Sequence, residues 1–459
     1  MQNRGRVVVN KPSNATRGSA NVAAEIPYPA SGYAWYVVII LYLAYTLSFV
    51  DRQIIAFLID PIKQDFQITE VQFSLLHGLA FTLFYTIMGI PLGWLADRAN
   101  RRNMMAIGVG AWSLMTGMCG VANNYWQLFL ARIGVGVGEA ALGPAAYSTI
   151  SDSFPPAKRG LPTSVYSAGV LCGAGLANIF GGLVVQYAMT TGPQTYPVLG
   201  EIQPWQLAFL LVSLPGILIV FMMLSVKEAV RREKATVEGT VSLAETFRHI
   251  RRYWVAYATL ILAPSGFAMT NYGLMTWVPA LFERNFEWNR AQVGLPFGSI
   301  ILFLGTAGLV CGGYLVQKVM QRGVTAAYSK VMIATQLITL PGVVLLVAVH
   351  SPYWTLGCIA HIFFFMSFHV GLAPAALHSI TPNEMRGQII ALYFFILNLI
   401  ALALGSYIIA SVTQYHFQDT AAVGKSVALV GSTAHAFGII LLIVGMKAYN
   451  RVVAELKLK

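Results

Sequence analysis

Asp51 and Arg52 stand side by side inside a long apolar run that begins near Tyr36, and Arg132 and Glu139 stand seven residues apart inside another. A charged side chain in hydrocarbon costs roughly 2.5–3.5 kcal/mol on insertion scales, so four of them in apolar runs call for a use. Positions i and i+7 share a helix face about 10 Å apart, so Arg132 and Glu139 lie on one side of their helix. The set is neutral, two positive and two negative. A carboxylate among arginines in a low-dielectric setting can gain and lose a proton as its exposure changes. The chemistry these residue types suggest is proton binding, with Asp51 as the first candidate carrier, Arg52 as its charge partner and Glu139 as the second candidate. Arg132 can pair with Glu139 or meet an anionic group. The competing possibility is a charge-balanced set that merely locks two helices together.

Other chemistries find little support. "VGKS" (423–426) resembles the end of a phosphate-binding loop, but Asp419 stands where its first glycine belongs. "GVGVGE" (134–139) has Glu139 at the third glycine of a dinucleotide fingerprint and lies in an apolar run that follows no strand. His361 and His369 are about two turns apart on one helix and read as packing or cavity polar groups rather than metal ligands. Cys119, Cys172, Cys311 and Cys358 lie singly in apolar stretches. No Ser/His/Asp or metal constellation emerges. The expectation is a protein that is not an enzyme and uses no cofactor or metal.

The elements that must carry the charged set are membrane helices. The 459 residues are 56% hydrophobic and only 10% charged, too little polar surface for a water-soluble chain. Twelve apolar runs are long enough to cross a core of about 30 Å. They lie near 35–59, 72–95, 103–122, 126–150, 161–187 and 205–225, then near 254–281, 293–317, 327–349, 354–377, 386–412 and 427–448. The net charge of +12 would suit nucleic acid, but its distribution argues otherwise. Outside the spans, Lys63, Arg284, Arg290 and Lys425 fall on one side, and the remaining Lys and Arg fall on the other. The positive-inside rule makes that second side cytoplasmic, with both termini there. The expectation is an all-α, multi-pass protein of the cell membrane. It consists of a disordered tail over 1–33, a six-helix bundle over 34–226, a cytoplasmic linker over 227–253, a second six-helix bundle over 254–450 and a tail over 451–459. In the linker, Ser242 and Glu245 predict a capping box opening a short interfacial helix with Leu243, Phe247, Ile250 and Trp254 on one face.

The two bundles are repeats. "FQITEVQFSLLHG" (66–78) aligns with "FEWNRAQVGLPFG" (286–298) at an offset of 220, which also pairs Gly93 with Gly313 and Arg102 with Arg322. "PPAKRG" (155–160) matches "PNEMRG" (382–387) further on. Parallel six-span repeats are a transporter architecture, with substrate held between the halves near mid-membrane. The same offset sets Asn271 and Tyr272 opposite Asp51 and Arg52. No Asp, Glu, Lys or Arg lies deep in the second half's spans. That half offers "HIFFFMSFH" (361–369), Met269, Met275 and Trp277 instead.

"GWLADRANRR" (93–102) resembles the loop signature of the major facilitator superfamily, with Asn100 where a glycine is usual. "ARIGVGVGEAALGPA" (131–145) resembles its fourth-span signature, and "SAGVLCGAGLANIFGG" (167–182) its glycine-rich fifth span without the usual Gly-Pro pair. "FVDRQ", "ADRANRR" and "GVGEA" together resemble the Spinster branch, which is linked to sphingolipid and lysophospholipid transport.

The resemblance implies the major facilitator fold, two six-helix bundles with spans one and four lining a central cavity. It also implies a gate at the cytoplasmic rim made by Gly93, Asp97, Arg98, Arg101 and Arg102. One charged and one apolar wall suit an amphipathic substrate. Arg132 and Glu139 would meet its headgroup, and Thr270, Asn271, Tyr272 and His369 would be polar groups of the second wall. Expected partners are an amphipathic small molecule or lipid, protons and the surrounding membrane lipids, with no nucleic acid and a monomeric state. A proton-coupled carrier of a soluble organic anion or drug, and a non-transporting receptor or scaffold, stand as alternatives.

Overall fold

The computed structural model describes residues 27–155, 158–197, 200–231, 242–348 and 351–457. Among the described residues, ten helices are long and apolar enough to cross a membrane. In the N-terminal half they are α1 (Ser31–Phe66), α2 (Glu70–Ala96), α4 (Tyr125–Ser153), α5 (Gly160–Thr191) and α6 (Pro204–Leu224). In the C-terminal half they are α9 (Arg290–Gln321), α10 (Ala327–Leu345), α11 (Pro352–Ser379), α12 (Arg386–Phe417) and α13 (Thr420–Leu456). Two more helices of crossing length, α3 (Arg101–Cys119) and α8 (Trp254–Phe286), bring each half to six. A short helix, α7 (Leu243–Arg252), joins the halves. Between α5 and α6 an antiparallel hairpin, β1 (Gln194–Tyr196) with β2 (Gly200–Ile202), adds a small element to the expected all-helical chain.

The repeated sequence marks a repeated turn. α1 and α8 end at Phe66 and Phe286, and the next residues, Gln67 and Glu287, both take left-handed backbone at φ 52 and 57. α2 and α9 then open on capping boxes, Thr69 with Gln72 and Asn289 with Gln292, which satisfy backbone donors at the helix start. Nearly two turns further along come the paired glycines, Gly78 and Gly298. A Cβ at Gly78 would lie 2.9 Å from the Leu402 carbonyl oxygen of α12, and one at Gly298 would lie 2.6 Å from Ile179 of α5. Each glycine lets its helix touch the other half's backbone. The contact at Gly78 joins two π-turns, Leu75–Leu79 of α2 and Asn398–Leu404 of α12. Such single wide turns displace a helix locally and recur at functional positions.

Several predicted boundaries shift. The first helix begins at Ser31 and the last runs to Leu456, so the tail predicted from 451 is largely helix. Most of the predicted 1–33 tail, and part of the linker, lie outside the described residues. α7 begins as its sequence predicts: Ser242 Oγ accepts from the Glu245 amide at 3.2 Å, and Glu245 accepts from the Ser242 amide at 3.0 Å. Phe247 and Trp254 are exposed, while Ile250 packs on the C-terminal half.

Both halves present the same two ends: one carries the chain termini and the linker, and the other, called here the far end, carries the equivalent α1–α2 and α8–α9 turns at Gln67 and Glu287. Arg284 of α8 binds Asp60 of α1 (2.6 and 3.1 Å) and Glu70 of α2 (2.8 Å), and Lys63 also reaches Glu70. Among the described residues these Arg284 contacts are the ion pairs that join the halves, so the far end is the closed one.

Candidate functional site

Pro144 helps to shape the site. It has no N–H for the Ala140 carbonyl, and α4 breaks between Glu139 and Leu142, so Glu139 closes its first segment. Opposite, Asp51 and Arg52 lie in the last turn of the first α-helical segment of α1 (Ser31–Gln53), just before a tighter turn over Ile54–Leu58. The break in α4 and the turn in α1 thus meet at the charged set.

Arg52 donates to Glu139 at 2.5 Å, and its guanidinium lies over the rings of Phe81 (4.4 Å), Phe49 (4.9 Å) and Tyr85 (5.1 Å). The aromatic faces favour the cation in a dry setting. Arg132 donates to the backbone carbonyls of Asp51 (3.2 Å) and Arg52 (3.4 Å), bracing α1 against α4. The pairing expected between Asp51 and Arg52 is not formed. Successive side chains on a helix point about 100° apart, so adjacent residues do not face each other. Arg52 turns to α4, and both carboxylate oxygens of Asp51 are left without a hydrogen bond among the described residues. Glu139 and Arg132 are its charged neighbours, and the Trp112 indole N–H, itself without a partner of normal hydrogen-bond geometry among the described residues, is the donor nearest to engaging it. Asp51 and Arg132 are fully buried and the Glu139 side chain is 1% open, whereas Arg52 keeps 13% of its side chain accessible. One Glu139 oxygen, Oε1, also lacks a partner, as do the Nε atoms of Arg52 and Arg132.

The residues expected on the second wall divide. Tyr272, on α8, lies within electrostatic range of Arg52 and Tyr85 and so belongs to the site. Asn271 is half-buried beside it. Thr270 and His369 are elsewhere. Thr270 shares a hydrogen bond with His435 at 3.3 Å, and His369 packs edge-on against Phe267, in the interior of the C-terminal bundle. The phenylalanine run is likewise packing: Phe363 meets Phe297 at 5.6 Å, and Gly312 of α9 receives Phe368. His361 bonds the Ile338 carbonyl at 2.7 Å. Sequence alone could not assign that run's face, because apolar residues occur all round the helix. Met275 and Trp277 do lie where the halves meet: the Met275 carbonyl accepts from Gln53, and Trp277 stands edge-on to Phe73.

At the terminal end, Asp97 is exposed and has no ion pair among the described residues. Arg98 stacks on Trp94 at 4.1 Å, and Arg102 bonds Asn103. Arg101, expected at the rim, is 1% exposed. It binds Asp152 (2.5 Å), Ser148 (2.8 Å) and Glu228 (2.9 Å), because residues 227–231 fold back under the loop. Arg231 completes that strap through the Ala96 and Ala99 carbonyls at 2.9 and 2.6 Å. A Cβ on Gly93, expected in the gate, would make only an ordinary 3.9 Å contact with Pro144, so no neighbour crowds it here.

Every buried Asp, Glu, Lys or Arg among the described residues lies in the N-terminal half: Asp51, Glu70, Arg101, Arg132, Glu139 and Asp152. Sequence reading missed His77, His435 and the Arg284 cluster. Arg284 and its partners were visible only as scattered charges outside the spans.

Residues 41–406 match the family model of the Major Facilitator Superfamily. An MFS-type efflux pump of Mycolicibacterium smegmatis is 25% identical over 92% of this chain and 95% of its own length. Protein spinster of Drosophila melanogaster is 26% identical over 64% of this chain and 47% of its own. Among solved structures, an inward-facing, unoccupied bacterial homologue of the human lysosomal transporter Spinster aligns with a TM-score of 0.75. It is 24% identical and covers 93% of this chain and 98% of that one.

Proposed function

The chain belongs to the Major Facilitator Superfamily, and from that membership we propose that it is a secondary active transporter. Its substrate is an amphipathic lipid of lysophospholipid or sphingoid type, moved by alternating access and coupled to protons. The observation that carries this reading is the asymmetry of the site. The Arg52–Glu139 pair and Arg132 stand on the N-terminal side, and α8 presents Tyr272, Met275 and Trp277 from the other. A headgroup would meet Arg52, the accessible member of the charged set, and a tail would lie along α8. The similarity to Protein spinster accords with the Spinster-like motifs, and that resemblance implies this substrate class.

Asp51 is the proposed proton carrier. An unpaired carboxylate anion is expensive to bury, and taking up a proton removes that cost. Opening one mouth wets the site and favours release of the proton, so protonation and conformation are linked. Arg52 and Glu139 hold α1 to α4 while this happens. Both termini and the linker face the cytoplasm in this reading, the far end faces outward, and the protein acts as a monomer in the cell membrane. Asp97, Arg98 and Arg102 act in the opposite state, when the terminal end closes.

A second reading, efflux of a soluble organic anion or drug, draws support from the near full-length similarity to an efflux pump. Flux into proteoliposomes separates the two. Labelled lysolipids and soluble organic anions are presented with and without an imposed pH gradient. Gradient-dependent flux of lysolipids alone supports the first reading, and flux of anions alone the second.

A further inference from the structure

His77 lies in the π-turn of α2, 3% exposed, and its Nδ1 is 3.3 Å from Thr276 Oγ1 of α8. Thr276 in turn is 3.0 Å from Ser406 Oγ of α12 and donates to the Tyr272 carbonyl at 2.8 Å. A hydroxyl has one proton to give and two lone pairs. With that proton on the Tyr272 carbonyl, Thr276 can only accept from His77 and Ser406. His77 is therefore a donor at Nδ1, and its Nε2 is an acceptor with no partner among the described residues. The charges that act on it are Arg132 and Arg52 of the site. The relay crosses from the N-terminal half to two helices of the other half, directly beside the Gly78 contact. At the repeat-equivalent position the second half has Phe297. A polar side chain thus stands where the repeat places an apolar one.

We propose that His77 is a positioning residue for alternating access: its hydrogen-bond relay through Thr276 to Ser406 latches the halves together in the far-end-closed state and must break for the far end to open. The alternative state separates α2 from α8 and α12 and hydrates all three groups, so the relay's contribution belongs to one conformation only. A buried hydrogen bond present in a single state biases the equilibrium by its net strength. The inference rests on the alternating access of the proposed function, but on neither its substrate nor its coupling ion.

Spin labels at Gln64 and Tyr415, both exposed at the far end, report its opening in lipid nanodiscs once the four native cysteines are replaced. Thr276→Val keeps the shape and removes the hydroxyl, and His77→Phe installs the repeat's own residue. Each should raise the far-end-open fraction about 2- to 10-fold. The double variant should go no further than the larger single effect, because the relay is already cut. His77→Asn keeps a donor near Nδ1 and should stay within about twofold of wild type. Arg284→Ala, which breaks the far-end ion pairs, is the reference for opening. If it opens the far end while Thr276→Val and His77→Phe leave the distances unchanged, the latch is wrong; additive effects in the double variant overturn it too. If Arg284→Ala also fails to open it, alternating access itself falls, and the latch with it. Thr276→Val decides the matter should His77→Phe not fold.

Discussion

Arg52 is paired with Glu139 at 2.5 Å across two helices, while Asp51, its neighbour in sequence, has neither carboxylate oxygen in a hydrogen bond of normal geometry among the described residues. In the proposed function the two carboxylates of the set therefore have different work. Glu139 holds a cation in place. Asp51 is a buried acid with spare capacity, the arrangement a proton carrier needs.

Removing Glu139 should damage the fold more than neutralising Asp51. Glu139→Ala strands the Arg52 guanidinium in a largely dry site, and breaking a buried pair costs about 3–5 kcal/mol. Asp51→Asn removes no hydrogen bond of normal geometry, keeps an oxygen to face the Trp112 indole, and should cost less than about half of that. Melting of the purified variants in one detergent ranks them; a larger loss for Asp51→Asn contradicts the assignment of roles.

The far-end cluster should act as a lock. Arg284 contacts Asp60 and Glu70 at 2.6 and 2.8 Å, and Asp60 is 23% open. Solvent screening discounts that pair, but Glu70 is 3% exposed. Arg284→Ala should raise the far-end-open population roughly tenfold or more. Accessibility of a single cysteine at an inter-half position, by alkylation rate, measures this; an unchanged rate counts against it.

The glycine pair that the repeat preserves should be intolerant of size for one reason at both sites. A valine at Gly78 or at Gly298 pushes on the other half, 2.9 Å from the Leu402 oxygen or 2.6 Å from Ile179. Overpacking of this kind costs about 1–3 kcal/mol. Gly78→Val and Gly298→Val should both favour the far-end-open state with little change in helix content. Opposite shifts from the two would show that the contacts are not equivalent.

Arg101 and Asp97 should separate, although they share one loop motif. Arg101→Ala removes a buried cation from Asp152, Ser148 and Glu228 and should destabilise by about 3–5 kcal/mol. Asp97 is exposed, and Asp97→Asn should leave melting unchanged. Its effect should be confined to the inward/outward ratio, moved toward inward-open. Equal melting losses for both would show that Asp97 is also structural.

Chain length of the substrate gives a further reading. Burial along α8 is worth about 0.8 kcal/mol per CH2, about fourfold in affinity for each methylene until the space is filled. Equal affinity for short-chain and long-chain analogues, below their aggregation concentrations, favours the soluble-anion reading.

Much of this was legible in the sequence, and the pattern of what was not is physical. Periodicity and composition reveal helices because hydrocarbon demands them, and the 220-residue offset reveals the repeat, whose copies share the left-handed turn at Gln67 and Glu287. The four intramembrane charges stood out for their cost. Their pairing did not, since Arg52 had a near candidate in sequence and its partner lay 87 residues away. Arg101's burial depends on a linker folding back, and the His77 relay on three helices meeting. The phenylalanine run misled because an all-apolar helix does not declare which face meets a cavity and which meets α9.

The most direct measurement is pH-gradient-driven flux of a labelled lysolipid in proteoliposomes, with wild type beside Asp51→Asn and Glu139→Gln, and substrate binding measured in parallel. The account predicts that Asp51→Asn binds substrate and loses gradient-driven flux, as a permanently neutral side chain must. If Asp51→Asn keeps wild-type flux and Glu139→Gln abolishes it, the proton is carried by Glu139. If both keep it, the charged set is structural and proton coupling through it is contradicted.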